Sequence, residues 1–168
     1  MSTAPEWVQF CPRCGSAMTT VPVRAVARRV CTSCEHIHYA DPKLAVGVAV
    51  FRDDRLLLVR RLMEPGQGLW ALPGGYLDAG EDPRVAAARE AEEEAGVHVR
   101  VDGVLDVFAN PPEVGGAVFV LYAATWVAGE PKPGDDADAA EFFARGDLPE
   151  MAFDSTAHVV AHWPGRAE

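Results

Sequence analysis

The amino-acid sequence predicts a mixed α+β or α/β sandwich preceded by a small cysteine-bound module, and three observations carry that prediction. All four cysteines of the 168-residue chain lie within its first 34 residues, in two matched Cys-x-x-Cys pairs. Strand-like runs bounded by turn residues dominate the stretch from Lys43 to Ala144. One acid-rich segment between Asp82 and Gly96 carries the start and stop signals of a helix, and Ser155 to Trp163 reads as a second, closing helix. A composition of 49% hydrophobic and 24% charged residues supports a sizeable core and excludes wholesale disorder. The expected organisation is a module over residues 1–40 and a domain over 41–168.

The module comes first in the chain. Cys11-Pro-Arg-Cys14 and Cys31-Thr-Ser-Cys34 are separated by sixteen residues, the spacing of a four-thiolate zinc site. A two-residue gap lets both sulfurs of a pair reach one ion, and two pairs complete a closed tetrahedron. Gly15 suits the tight turn after the first pair, and Val21 through Val30 reads as a short hairpin, giving a zinc ribbon. Two disulfides are the alternative. The N-terminus has neither a basic region nor an apolar one of the kind that directs secretion, so the expected location is cytoplasmic and the thiols are expected to stay reduced. No thioredoxin-like pattern surrounds either pair. His36 and His38 could replace a thiol, but with four cysteines present they are read as bystanders. A closed site of this kind serves folding or docking, not chemistry.

The charge divides along the same line. Of 25 acidic and 15 basic side chains, residues 1–40 hold Arg13, Arg24, Arg28 and Arg29 against Glu6 and Glu35, a net of +2, which leaves −12 for the rest. A protein of net charge −10 is not expected to clamp a nucleic-acid backbone, which takes clustered Lys and Arg. No run approaches 18 apolar residues, so no membrane span is predicted.

In the acidic domain, Lys43 to Phe51 alternates Val46, Val48 and Val50 with small residues and reads as a strand. Asp53-Asp54 marks a turn, and Arg55 to Arg61 returns as the second strand of a hairpin. Val97 to Val107, Val114 to Trp126 and the short run Ala140 to Ala144 are further strands, and Glu130 to Asp138 reads as a solvated acidic loop. Pro73-Gly74-Gly75 punctuates the chain and is expected to leave backbone carbonyls exposed. Asp82 is the expected N-cap, Pro83 the first helical residue and Gly96 the stop. On this helix Glu90, Glu93 and Glu94 share one face, Ala87, Ala91 and Ala95 form a thin face for a sheet, and Arg89 can pair with Glu93 one turn on. Carboxylates so close raise one another's pKa, and an all-oxygen ligand set selects the hard cations Mg²⁺ or Mn²⁺. An isolated acidic run would more simply be a solvated helix face.

The whole string decides between those readings. Gly75, five residues, Glu81, seven residues, Arg89-Glu90-Ala91, one residue, Glu93-Glu94, one residue, Gly96-Val97 resembles the Nudix box at nine defined positions over 23 residues. The resemblance runs from Lys43 to about Trp163 and includes Gly68-Leu-Trp70. It implies an α/β/α sandwich around a mixed sheet and hydrolysis of a nucleoside diphosphate linked to another group. It also implies Glu90, Glu93, Glu94 and the Gly75 carbonyl as Mg²⁺ or Mn²⁺ ligands. Arg89 would hold a glutamate in position and Glu81 would stabilise the loop–helix–loop. Glu93 is the first choice for the base that deprotonates water, with Glu113, Asp136 and Glu141 in reserve.

A zinc ribbon before such a domain narrows the substrate. The Ser-Gln-Pro-Trp-Pro-Phe-Pro-like stretch of the NADH pyrophosphatases has no counterpart here, where residues 108–116 read Phe-Ala-Asn-Pro-Pro-Glu-Val-Gly-Gly. The chain looks closer to the compact FAD and ADP-ribose pyrophosphatase-like group, so ADP-ribose or FAD comes first. NADH and (d)NTPs are alternatives, as is a non-catalytic nucleotide sensor whose ribbon binds a partner. Tyr76, Phe108, Tyr122 and Phe153 are aromatic candidates for base stacking, although strand aromatics are more often core. His98, His158 and His162 have no ligand or triad spacing and are expected on surfaces. No P-loop, dinucleotide-binding glycine motif or Ser-His-Asp arrangement is present. The resemblance leaves a homodimer open.

Overall fold

The computed structural model describes residues 6–109, 117–161 and 163. The chain divides into two compact units, Met1–Pro42 and Lys43–Glu168.

In the first unit β1 (Met18–Val23), β2 (Val26–Cys31) and β3 (Ile37–His38) form an antiparallel sheet in that order. Arg24 and Ala25 both have positive φ, 48° and 67°, as the two central residues of a type I′ hairpin turn require. Val8, Cys11, Met18 and Cys31 are its small buried core. So few apolar residues cannot hold a fold of this size without a cross-link or a metal. Arg29 adds backbone support, donating to the carbonyls of Val8 and Met18 and to the Thr20 hydroxyl.

The second unit is built on a mixed seven-stranded sheet. Its strands are β4 (Leu44–Arg52), β5 (Arg55–Arg61), β6 (Trp70–Ala71), β7 (Gly74–Tyr76), β8 (His98–Ala109), β9 (Val118–Ala128) and β10 (Ala137–Ala144). The order is β10-β5-β4-β9-β8, with β6 on β5 and β7 on β4; β4 and β9 are parallel and the other pairs antiparallel. Helices α1 (Pro83–Ala95) and α2 (Ser155–Ala161) complete it. Leu57 and Val59 join the buried cluster that contains the alanines of α1, while Leu56 and Leu58 join the cluster that contains Val159 of α2. Burial on both faces explains why β5 is an unbroken apolar run and not an alternating one. The architecture is the expected α/β sandwich.

Local signals and tertiary pairing agree at most boundaries. Asp53 and Asp54 have φ of 50° and 63° and make the β4–β5 turn. Asp82 caps α1 by accepting from the Arg84 N–H at 2.8 Å, and Gly96 ends it at φ 67°. The small residues between the valines of β4 also have a purpose: a Cβ on Gly47 would lie 2.5 Å from the Phe119 ring.

The Pro73-Gly74-Gly75 expectation needs correcting. The segment is not an open turn: Gly74–Tyr76 pairs with β4, Gly75 opposite Val46, and the Pro73 carbonyl accepts from Val48 N–H at 2.9 Å. Strand β10 begins at Ala137, inside the expected acidic loop, because β5 supplies its partner. Among the described residues no helix is long and apolar enough to cross a membrane.

Candidate active site and cysteine cluster

The four cysteine sulfurs lie within 4.8 Å of one another and are free thiols. Their separations are 3.7 Å for Cys11–Cys34 and 3.5 Å for both Cys14–Cys31 and Cys14–Cys34. A tetrahedral zinc with bonds near 2.3 Å puts its sulfurs about 3.8 Å apart, so the cluster has the dimensions of a zinc site and not of disulfides. Backbone N–H groups of Arg13, Ser33 and Cys34 point at Cys11 or Cys31 sulfur, each at 3.4 Å. The backbone and hydroxyl of Ser16 lower the Cys14 pKa to about 6, and the N–H groups of Cys34 and Ser33 lower that of Cys31. Cys34 is instead pushed up to about 12 by the crowding of the Cys14, Cys31 and Cys11 sulfurs, so it is Cys14 and Cys31 that favour the thiolate form that ligates. His36 and His38 are not part of the cluster.

The acidic site is assembled by α1 against β7. Because α1 presses alanines onto the sheet, its backbone comes close enough for Glu90 and Glu94 to reach the Gly74–Gly75 strand. Glu94 accepts from the Gly74 N–H at 3.1 Å. A Cβ on Gly75 would sit 2.5 Å from Glu90 Oε1, so the absent side chain is what makes room for that carboxylate.

Arg89 organises the group. Nε and one terminal nitrogen donate to the two Glu81 oxygens at 2.9 and 3.1 Å, and that same nitrogen reaches the Tyr76 carbonyl at 3.5 Å. The other terminal nitrogen donates to Glu90 and Glu93, each at 2.8 Å. All five guanidinium N–H groups are thereby engaged. Glu81 also accepts from Asp78 N–H at 3.1 Å, which ties the loop to the helix.

The electrostatics follow from burial. Arg89, with Asp78 N–H, holds Glu81 below the ordinary carboxylate value, while Glu81 and then Glu93 keep Arg89 firmly protonated. Burial raises Glu90 despite Arg89 beside it. Burial also pushes Glu94 up to about 7, with the charges of Glu90 and Asp136 adding to the rise and the Gly74 N–H and Arg61 opposing it. Desolvation, more than mutual repulsion, is thus the main cause. The oxygens of Glu90, Glu93 and Glu94 are not gathered within 4.8 Å, since among the described residues only the four cysteines meet that spacing. These carboxylates, Glu90 buried, Glu94 half-buried and Glu93 exposed, are hard oxygen donors, and they fit Mg²⁺ or Mn²⁺.

The reserve residues separate. Asp136 is close enough to affect Glu94, whereas Glu141 pairs opposite Leu58 and lines a different depression with Arg52, Arg55, Trp126 and Phe142. Glu113 lies outside the described residues. Tyr122 is buried, whereas Tyr76 is 56% exposed, with the Lys43 ammonium 4.7 Å from its ring centre. His98 is exposed as expected, and His162 lies outside the described residues. His158 corrects the surface expectation: it is half-buried, stacks on Phe108 at 4.4 Å and 10°, and pairs with Asp106. Its spacing from those partners, 50 and 52 residues, left no local signal. Arg61 beside Glu94 was also missed, for the same reason.

Comparison with known proteins agrees with this geometry. The NUDIX domain model matches residues 41–163. The ADP-ribose pyrophosphatase of Methanocaldococcus jannaschii is 37% identical over 118 residues, 69% of this chain and 70% of that one. The NAD-capped RNA hydrolase NudC of Vibrio parahaemolyticus is 25% identical over 146 residues, 86% of this chain and 54% of that protein, so this chain spans about half its length. The crystal structure of a NUDIX hydrolase from Nitrosomonas europaea has a TM-score of 0.85 at 27% identity, covering 94% of this chain and 92% of that one. With the box on α1, the paired Gly74–Gly75 strand and the mixed sheet, these matches show that the chain belongs to the Nudix family of pyrophosphohydrolases.

Proposed function

We propose that the protein hydrolyses the pyrophosphate bond of a nucleoside diphosphate linked to another group, with ADP-ribose or FAD as the first substrates, in a reaction that depends on Mg²⁺ or Mn²⁺. The observation that carries the reading is the set of Glu90, Glu93 and Glu94 held by Arg89 and Gly74 against β7, with Glu94 raised to about 7. The 37% identical ADP-ribose pyrophosphatase supports the choice of substrate.

Glu90, Glu93, Glu94 and the Gly75 carbonyl would hold the divalent cation. When bound, it would neutralise phosphoryl oxygens and make water a better nucleophile. The chain's own residues supply the rest. Arg89 fixes Glu90 and Glu93 relative to one another, and Glu81 fixes Arg89. Glu93, whose side chain is 43% exposed, faces solvent and takes the proton of the attacking water. Water adds to one phosphorus, and the bridging oxygen leaves with the other phosphate; ADP-ribose would give AMP and ribose 5-phosphate. The four cysteines would hold one structural zinc.

The test is a panel of ADP-ribose, FAD, NADH, diadenosine polyphosphates and (d)NTPs with Mg²⁺ or Mn²⁺. NADH belongs there because the similarity to the NudC relative extends over 86% of this chain. Hydrolysis of ADP-ribose or FAD ahead of the others is expected. No divalent-dependent hydrolysis of any member would overturn the reading.

A further inference from the structure

A diphosphate entering this site meets a wall of carboxylates, so the chain's own cations matter. Most are already committed. Arg89 has every N–H engaged, Arg60 is paired with Asp138 at 2.6 Å, and Arg52 with Glu130 at 3.3 Å. Arg61 differs. Its Nε donates to the Pro65 carbonyl at 2.8 Å, and its guanidinium carbon lies 5.0 Å from the Phe153 ring centre. Its terminal nitrogens have no hydrogen-bond or ion-pair partner among the described residues, which leaves four N–H donors in a fixed plane.

The topology puts that plane at the site. Leu57 and Val59 of β5 face α1, and Arg61, two residues further on the same strand, continues that face. Arg61 pairs opposite Ala137, and the next N–H, that of Leu62, donates to Asp136 O at 2.8 Å. Gly134 N–H in turn donates to the Glu94 carbonyl at 3.2 Å, so β10 and the end of α1 meet beside Arg61.

The support is built from two separate segments. Trp70 forms a parallel bridge to Met151, accepts from Ala152 N–H at 2.7 Å and donates to Glu150 O at 3.1 Å. Gly66, at φ 81°, packs so closely on this segment that a Cβ there would lie 2.7 Å from the Ala152 Cβ. Both the Pro65 carbonyl and the Phe153 ring, 40% exposed, are thereby fixed. A planar guanidinium held against a ring, with its terminal donors left over, suits bidentate contact with phosphate.

We propose that Arg61 binds a phosphate of the nucleoside diphosphate substrate beside Glu94, and that Phe153 is the positioning residue that holds its guanidinium for that contact. The inference rests on the hydrolase reading above and adds the group that receives the anion. It also separates the Arg60-Arg61 pair, one side chain serving the fold and the other the substrate.

The test uses the 168-residue chain prepared with zinc and the α,β-methylene analogue of ADP, which carries the core common to ADP-ribose, FAD and NADH and resists hydrolysis. Titration by calorimetry with Mg²⁺ is expected to show binding weakened about 10–100-fold in Arg61→Gln. Arg61→Lys keeps the charge without the fork and should recover part of the loss. Phe153→Leu should weaken binding several-fold, and steady-state kinetics should show a larger rise in KM than fall in kcat for all three variants. Arg61→Gln binding as tightly as the wild type would overturn the proposal while wild-type turnover left the hydrolase reading standing. Absence of turnover in the wild type would overturn both. If Arg61→Gln proves unstable, Arg61→Lys decides: affinity and KM equal to the wild type reject bidentate contact.

Discussion

Glu94 lets the electrostatics of the site be tested apart from turnover. Its carboxyl is pushed from an ordinary 4.5 up to about 7, chiefly by burial. Ionising it in the cation-free fold therefore costs about 3 kcal/mol at pH 8, taking 1.36 kcal/mol for each tenfold change in proton affinity. Glu94→Gln removes that cost. The Gly74 N–H keeps a neutral acceptor in the amide oxygen, and its preference for the charged carboxylate is already contained in the net rise. A gain of about 2–3 kcal/mol is expected, or about 4–12 °C in Tm for a chain of this size. The sign depends on pH. The neutral carboxyl carries no penalty below 4.5; the cost grows as pH rises towards 7 and is complete above it. The assay is thermal and urea unfolding of wild type and Glu94→Gln, without added divalent cations, at pH 8 and pH 5. The variant is expected to be the more stable at pH 8, with most of the difference gone at pH 5, and to lose at least about 100-fold in turnover with Mg²⁺. A variant no more stable than wild type at pH 8, or a gain that does not shrink at pH 5, would refute the buried-charge argument. Full activity would refute the site.

Three further outcomes are expected. Gly75→Ala places a Cβ 2.5 Å from Glu90 Oε1, so it should cost about 10-fold or more in kcat with little effect on secondary structure by circular dichroism. Metal analysis should find one zinc per chain, and thiol titration after unfolding in a chelator should find four free thiols; Cys31→Ser should release the metal and unfold the small unit, as read by loss of its amide protection. Arg89 holds Glu81, and Arg60 holds Asp138, below the ordinary 4.5 and 3.8, so their contribution is present above those values and is lost as pH falls through the lower folded ones. Acid unfolding followed by tryptophan fluorescence should show a limb below about pH 4 that Glu81→Gln makes shallower.

Features set by neighbours in sequence were legible without coordinates. Asp82, Pro83 and Gly96 bound α1 through local caps, the 3.6-residue period puts Glu90, Glu93 and Glu94 on one face, and the Asp53-Asp54 turn joins two strands that need only each other. Features that depend on a distant partner were not. Gly74-Gly75 looked like an open turn because β4, which pairs with it, lies some 28 residues earlier. Asp136 and Glu141 were equal candidates in an acidic stretch, and only the register of β10 on β5 brings one towards Glu94 and the other away. His158 looked superficial until Asp106 and Phe108 came to it across the fold.

By itself the sequence determined the helix that carries the carboxylates and the spacing of the two cysteine pairs, because caps, periodicity and chelate geometry act over a few residues. It also determined the family, through nine positions within 23 residues. Only the tertiary structure decided how deeply each carboxylate is buried, that Arg89 has no donor to spare and that Arg61 does. Burial and hydrogen-bond saturation depend on every element packed around a group, and here those elements come from residues far apart along the chain, Arg61 and Phe153 among them.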